Sequence, residues 1–530
     1  MLFTSYSFPI FIAILCGLYY AVPKKFQSVL LLAASYVFYF TAGPSYPIYI
    51  FATSLTSWYA ALRMGANAEA QSIWLKEHGG DLGADGKKAY KESQKRLRFG
   101  WMLACLLFNL GILGLLKYGN FFIANVNGIL AAAGSGSRLS FLGLAMPMGI
   151  SFYTFQAISY VIDVNRGVCK AEKSLLRFAL FVSFFPQLIQ GPISRYPDLS
   201  ESLYAEHRFD FRDFSFGLQR ILWGYFKKLV VADRILPLVK TVTQDPENYG
   251  GAYALLAMLL YTIELYADFT GGIDITIGVA RLFGIRIKDN FNLPYFSTSL
   301  KEYWRRWHIS MCSWFRDYLF YPLSTSKPMT RFSKFARKRL GNAVGKRLPL
   351  YIASFTVWFA TGLWHGASWN FIVWGLANWA VLMISQEFEG LYARFHKRFA
   401  FASGTAYRIF TVLRTFLLVC CLNIFDCYKT LAETFGAFAS IFTTTNYSAF
   451  SDASMLKLGM SRADFIIVAL GSAAMLIVSL LKLGGSLRER IAQKPLALRF
   501  CLWYALFIAI IIFGAYGEGY DASQFIYNQF

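Results

Sequence analysis

Charge is scarce in this sequence: only 15% of its 530 residues are Asp, Glu, Lys or Arg, where soluble domains carry about 25%. Four stretches, 1–23, 26–62, 139–162 and 348–386, contain none of the four. Several soluble domains, which the length alone would suggest at about 150 residues each, are therefore excluded. The eight cysteines form no CxxC pair, so no disulfide framework is expected, and most read as buried packing. Missing too are internal repeats, low-complexity linkers and the alternating ten-residue pattern of a membrane β-barrel.

What the chain has instead is apolar surface, 56% hydrophobic residues and 51 phenylalanines. A bilayer core about 30 Å thick takes about 20 apolar residues per helix. The runs at 26–62 and 348–386, of 37 and 39 residues, are each long enough for two crossings. Lipid leaves no water for backbone groups, so helices are the expected solution. The net charge of +22 taken alone would suggest nucleic acid, but the bases sit in the gaps between apolar runs. Lys327 to Arg347 holds eight Lys or Arg and no acid. That clustering marks cytoplasmic loops facing lipid headgroups, and no nucleic-acid partner is expected.

A first helix is expected over 3–22, retained rather than cleaved because it lacks a basic n-region and Lys24-Lys25 follows it. The 26–62 run splits at Ala42-Gly43-Pro44. The polar segments 63–98 and 327–347 are expected as cytoplasmic loops, which puts the N-terminus outside. Further spans are expected near 101–116, 119–134, 141–162, 174–190, 215–235 and 251–270. Others follow near 349–364, 367–386, 410–425, 464–481 and 499–516. The reading is an all-α polytopic membrane protein of about 10–13 helices, forming one domain over 1–530.

Polar groups inside apolar runs default to functional hypotheses. His365, in Trp364-His365-Gly366, lies 18 residues past Arg347, or about 27 Å along a straight helix. It reads either as a general base or as a packing histidine, with Gly362 and Gly366 serving helix contact. In Ser299–Pro322, Ser299 and Glu302 match a capping box, and Trp304, His308, Met311, Phe315 and Leu319 fall on one helical face. This segment, with Lys301, Arg305, Arg306, Arg316 and Asp317, is too charged to span and reads as re-entrant or interfacial, ended by Pro322. His308 and Cys312 alone do not make a metal site, and none is expected. Glu264, Asp268 and Asp274 around Gly271-Gly272 read as an ion or proton site, or as partners of Arg281, Arg234 or the arginines above; the structural pairing is favoured. Gln187, Gln190, Gly191, Pro192 and Arg195, and separately Lys227, Lys228, Asp233 and Arg234, look like cavity lining rather than lipid contact.

These segments resemble a known family. Phe185-Pro186-Gln187 through Gln190-Gly191-Pro192-Ile193, then Glu302-Tyr303-Trp304-Arg305-Arg306-Trp307-His308-Ile309-Ser310, then Gly362-Leu363-Trp364-His365-Gly366 are similar to the bacterial, alginate O-acetylase-like branch of the membrane-bound O-acyltransferases. Met1–Ser5 and Tyr266–Gly271 are also similar, and the likeness weakens beyond about 390, leaving 391–530 as less characteristic C-terminal helices. The resemblance implies a ring of tilted helices, with re-entrant or interfacial pieces, around a central funnel. It places His365 at the family's catalytic histidine and His308 at its second one, with Trp304, Trp307, Arg305, Gln190 and Trp364 as substrate-binding candidates. It implies a thioester donor, acetyl-CoA or an acyl carrier, with no tightly bound cofactor, and a polysaccharide acceptor. The setting it implies is the bacterial cytoplasmic membrane. The chain has no room for a soluble acetyltransferase domain, so an extracytoplasmic acetyltransferase is the implied protein partner. No Ser or Cys nucleophile stands beside a base, which disfavours a covalent enzyme intermediate. Two other readings are D-alanyl transfer to teichoic acid and, from a different class, a polysaccharide exporter or secondary transporter. The latter would put Glu264, Asp268 and Asp274 ahead of His365 and should show an inverted repeat.

Overall fold

The computed structural model describes residues 2–188 and 190–516, which are helices and connecting segments with no strand among them. It divides into two compact units, Met1–Phe214 with Val279–Lys288, and Ser215–Gly278 with Asp289–Phe530.

The first unit contains α1 (Ser7–Ala21), α2 (Gln27–Ala42), α3 (Tyr46–His78), α4 (Ala84–Ala132), α5 (Ile150–Arg166), α6 (Leu175–Ser183), α7 (Phe185–Leu188) and α8 (Tyr196–Tyr204). The split expected at Gly43-Pro44 falls between α2 and α3. The loop expected over 63–98 is not a loop. Its Ala, Glu, Gln, Leu and Lys residues are strong helix formers, so α3 runs on to His78 and α4 begins at Ala84. Arg98 ties the two extensions together, donating to Asn67 at 2.9 Å and Gln71 at 2.5 Å. The spans expected at 101–116 and 119–134 are likewise a single helix, α4, of 49 residues. The span expected at 141–162 starts only at Ile150, because Pro147 and the left-handed Gly149 (φ 72°) precede it. The core of this unit is aromatic, with Phe3, Phe8, Phe38 and Phe185 buried together.

The second unit takes most of α9 (Phe211–Tyr225), then α10 (Asp233–Gln244) and most of α11 (Ala252–Leu282). Short helices follow: α12 (Leu300–Arg306), α13 (Ile309–Phe315) and α14 (Tyr321–Ser324). Beyond them come α15 (Lys327–Leu340), α16 (Asn342–His365), α17 (Trp369–Glu387), α18 (Glu389–Arg398) and α19 (Thr405–Cys427). The last are α20 (Leu431–Thr443), α21 (Arg462–Lys482), α22 (Leu487–Ala492) and α23 (Leu496–Phe513). The basic segment 327–347 is helical rather than a loop: Ser326 Oγ caps the Met329 N–H at 3.2 Å and Pro328 sits in the first turn, where a missing N–H is harmless. Five described helices, α4, α11, α19, α21 and α23, are long and apolar enough to cross a membrane. The pair α17–α18, bent by 50°, adds a sixth if it is one span. Of the remaining segments counted from the sequence, α3 and α16 are long, at 33 and 24 residues, but fall outside this apolar set, and the others are shorter or interrupted helices.

Candidate active site

His365 is the last residue of α16, and the chain turns through Gly366 into α17. The two helices approach closely through glycine. A Cβ on Gly375 would lie 2.4 Å from the Trp358 carbonyl oxygen and 3.2 Å from the Gly362 Cα, so only bare backbone fits there. This crossing holds the buried His365 ring against Trp374, at 4.4 Å between centroids, and against Trp364 at 5.2 Å.

His308 arrives differently. The sequence reading of one continuous helical face fails at this residue, which sits between α12 and α13 in the left-handed region, φ 45°. For a non-glycine residue that conformation is strained and persists only where its surroundings impose it. The surroundings are the segment Asn290–Asn292. The Ile309 N–H donates to the Asn290 carbonyl and the Asn292 N–H to the Arg306 carbonyl, both at 2.9 Å. Asn290 then adds its side chain. Its Oδ1 accepts from the Ser310 N–H at 2.9 Å, and its Nδ2 meets His308 Nδ1 at 3.1 Å. The capping box at the start of α12 is half formed: Ser299 Oγ accepts from the Glu302 N–H, but the Glu302 carboxylate turns to Thr298 instead. Pro322 does not end the helix; it lies in the first turn of α14.

The break brings the two histidines into one buried aromatic cluster. Trp364 touches both, with its ring 5.7 Å from that of His308. Phe269 lies 4.9 Å from His308 on another side. Trp304 donates from Nε1 to Asn378 Oδ1 at 3.1 Å and packs 5.7 Å from Trp374. Burial pushes the His308 imidazole well below its ordinary pKa, and the nearby His365 lowers it further; its own backbone carbonyl acts weakly in the opposite sense. The ring is therefore held neutral, while His365 packs among Trp364, Phe371 and Trp374 in the same cluster.

The other sequence candidates are placed as follows. Trp307 is buried in an adjoining group with Phe291, 5.0 Å away, and Tyr303, 5.5 Å away. Arg305 is exposed on α12. Gln190 belongs to the first unit, buried in the non-helical stretch after α7, where Gln187 bonds to the Pro192 carbonyl at 3.1 Å. Among the described residues, no group of three or more His, Cys, Asp or Glu side chains is arranged to hold a metal ion. Sequence reasoning missed Asn290, Asn378, Phe269 and Trp374. No spacing rule links Asn290 to a histidine 18 residues on, and Trp374 is one apolar residue among many in a charge-free run.

Two of the three acids of α11, Asp268 and Asp274, are paired, as favoured but with different partners, whereas Glu264 is buried in the same helix with its Oε2 meeting no hydrogen-bond donor among the described residues. Asp268 and Asp233 both bond to Lys228, the latter at 2.7 Å. Asp274 takes Lys227 and Arg220, each at 2.7 Å, and Arg220 reaches on to Asp289. The π-turn Phe226–Ala232 between α9 and α10 turns both lysines inward. Arg281 pairs instead with Asp213, and Arg234 with Asp464. Next to this cluster is a cavity of about 550 Å³ whose wall includes Arg220, Lys227, Lys482 and Arg488 against Asp274 and Asp289, with Trp223 and Trp503. Asn290 forms part of the same wall.

A model of the membrane-bound O-acyltransferase family matches residues 171–337. The chain is 35% identical over 381 residues to the "Probable alginate O-acetylase AlgI" of Azotobacter vinelandii, covering 71% of this chain and 66% of that protein. The protein of the same name from Pseudomonas putida is 35% identical over 379 residues, 71% of this chain and 68% of its own length. The chain belongs to the membrane-bound O-acyltransferase family. A more distant member, the "Peptidoglycan O-acetyltransferase" of Helicobacter pylori, is 31% identical over 322 residues, 56% of this chain and 57% of that one. The match thus spans just under two thirds of the A. vinelandii relative. The family match covers α12 and His308, whereas His365 lies beyond residue 337.

Proposed function

We propose that the chain is a membrane O-acetyltransferase that moves an acetyl group from a thioester donor towards O-acetylation of an extracytoplasmic polysaccharide. The observation that carries the reading is the packing of both His308 and His365 against Trp364, in a chain of this family. The relatives differ in the glycan their names give, alginate or peptidoglycan, and share O-acetyl transfer.

In this reading His365 takes the proton of the attacking hydroxyl. A C–O bond forms, the C–S bond of the thioester breaks, and the proton passes from His365 to the leaving thiolate. His308 and Trp364 hold the thioester oxygen, Trp304, whose N–H is given to Asn378, lines the acyl group with its ring, and burial excludes water that would hydrolyse the donor. The cavity beside Asn290, with two more cations than carboxylates and two indoles, suits the phosphates and base of a donor such as acetyl-CoA or the phosphopantetheine of a carrier. Trp307, Arg305 and Gln190 are assigned to substrate contacts outside the histidine cluster. The bacterial inner membrane is the expected setting, with the N-terminus outside and a separate extracytoplasmic acetyltransferase receiving the group.

The test is the O-acetyl content of extracellular polysaccharide in cells carrying the wild-type chain or His365→Gln at equal membrane abundance. Loss of acetyl groups with the polymer intact is expected. Unchanged acetylation in a strain without a second copy would sink the catalytic assignment, and loss of the polymer itself would point to export.

A further inference from the structure

The hydrogen bonds around His308 determine where its proton sits. The Ser310 backbone N–H can only donate, and it donates to Asn290 Oδ1 at 2.9 Å. That fixes the orientation of the amide, which density or energy alone leaves ambiguous. The group 3.1 Å from His308 Nδ1 is therefore the Asn290 NH₂, which can only donate. Nδ1 must be the acceptor, and in a neutral imidazole the proton then lies on Nε2.

We propose that Asn290 is a positioning residue that holds His308 as the Nε2–H tautomer, making this imidazole a hydrogen-bond donor to the reacting oxygen rather than a base. The donor role rests on the acyl-transfer reading above; the tautomer does not. Two features of the fold serve the clamp. Asn290 is fully buried, so water does not compete for its amide. The paired backbone of Asn290 and Ile309 holds His308 in its left-handed conformation, with its ring edge turned to Asn290. Protonating Nδ1 would set N–H against N–H, so the clamp opposes the imidazolium as well as the other tautomer. His365 is the titratable group acting on this ring, and a charge on one imidazole disfavours a charge on the other. A division of labour follows: His365 exchanges the proton and His308 does not. A neutral imidazole that donates is suited to an oxyanion, whose charge develops only in the transition state.

Nitrogen NMR of the full-length protein in nanodiscs, labelled with nitrogen-15 histidine, tests this directly. The five histidines are resolved by subtracting the spectrum of His308→Gln. At neutral pH the His308 ring is expected to carry its proton on Nε2, with an unprotonated Nδ1. Asn290→Asp replaces the donor with an acceptor. It should move the proton to Nδ1, raise the pH at which the ring titrates, and lower kcat for acetyl transfer about 10²-fold with KM little changed. A wild-type ring protonated on Nδ1, or on both nitrogens, overturns the proposal. So does a kcat that survives Asn290→Asp while the tautomer reverses. If Asn290→Asp does not fold, the wild-type spectrum alone decides the tautomer. A wild-type protein with the expected spectrum and no acetyl transfer to any acceptor supports the clamp and counts against the proposed function.

Discussion

Two buried polar regions in the second unit solve the same problem in opposite ways. Around Lys227 and Lys228 the main partners are ionic: Asp268, Asp233, Asp274 and Arg220 neutralise one another through direct contacts, and the Thr270 hydroxyl adds one neutral acceptor. Around His308 and His365 the neighbours are indoles, phenyl rings and an amide. Charge taken out of water costs several kcal/mol per ion unless it is paired. The lysine cluster accepts that cost and its partners lock it in place. The histidine cluster avoids it at His308, whose imidazole burial keeps neutral. Lys228 is held between two carboxylates by charge, whereas the imidazoles are held by ring packing and, at His308, by one amide. The first arrangement is a structural lock; the second is the one the proposed chemistry would use.

Substitutions should separate the two regions. The largest expected effect is on activity: His365→Gln should lower acetyl transfer about 10³-fold, within the range for a lost general base, with a thermal midpoint in detergent close to wild type. Transfer assays on purified protein check the first half and thermal unfolding the second. Lys228→Met should do the reverse in kind. It leaves Asp268 and Asp233 buried without their cation, at a cost of about 3–5 kcal/mol, and it should show as a lower unfolding midpoint and poor membrane yield. A stable, inactive Lys228→Met would move that lysine out of the structural group and into the chemistry.

A middle-sized effect tests whether the ionic region is a network. Lys227→Met and Asp274→Asn each remove one side of a buried pair, and the double variant removes both. A coupling of about 1–3 kcal/mol is expected between them, so that the double variant is less damaged than the sum. Strict additivity would mean that Arg220, which also bonds Asp274, carries the load alone.

The histidine region predicts a pH dependence. His308 is depressed by burial in the folded state, while the unfolded ring titrates near 6.5. The unfolded state therefore binds more protons as pH falls. The stability from neutral His308 is fully present above about 6.5 and is lost as pH drops from there towards the folded value, with a slope of at most about 1.4 kcal/mol per pH unit. His308→Gln should flatten the pH 5–7 part of the unfolding profile measured in detergent. An unchanged slope would mean that the ring is charged in the folded protein.

How much of this was legible in the sequence depends on range. The apolar runs announced helices, and His365 stood out because its surroundings carry no charge. His308 was noticed, but its conformation was not: Trp304, His308 and Met311 satisfy helical spacing, and nothing local says that the helix breaks there. The break is imposed by Asn290 and Asn292 from a distant segment. From the sequence Lys227 and Lys228 read as cavity lining and not as partners of the acids, because a π-helix, invisible to a 3.6-residue period, rotates them inward. The polar stretches 63–98 and 327–347 were misread because polarity signals exposure, not the absence of a helix.

The smallest expected effect concerns Trp304. Its indole N–H donates to Asn378, whose amide also donates to the Trp374 carbonyl at 2.9 Å. That chain connects α12 to the helix packed against His365. Trp304→Phe keeps most of the ring contact and removes one hydrogen bond, leaving Asn378 Oδ1 without this donor, a change of about 1 kcal/mol. If the bond orients the cluster, kcat should fall about threefold to tenfold while the unfolding midpoint shifts little. If Trp304→Phe lowers stability and rate together by the same free energy, the bond is packing, and the neutral region is held by its rings alone.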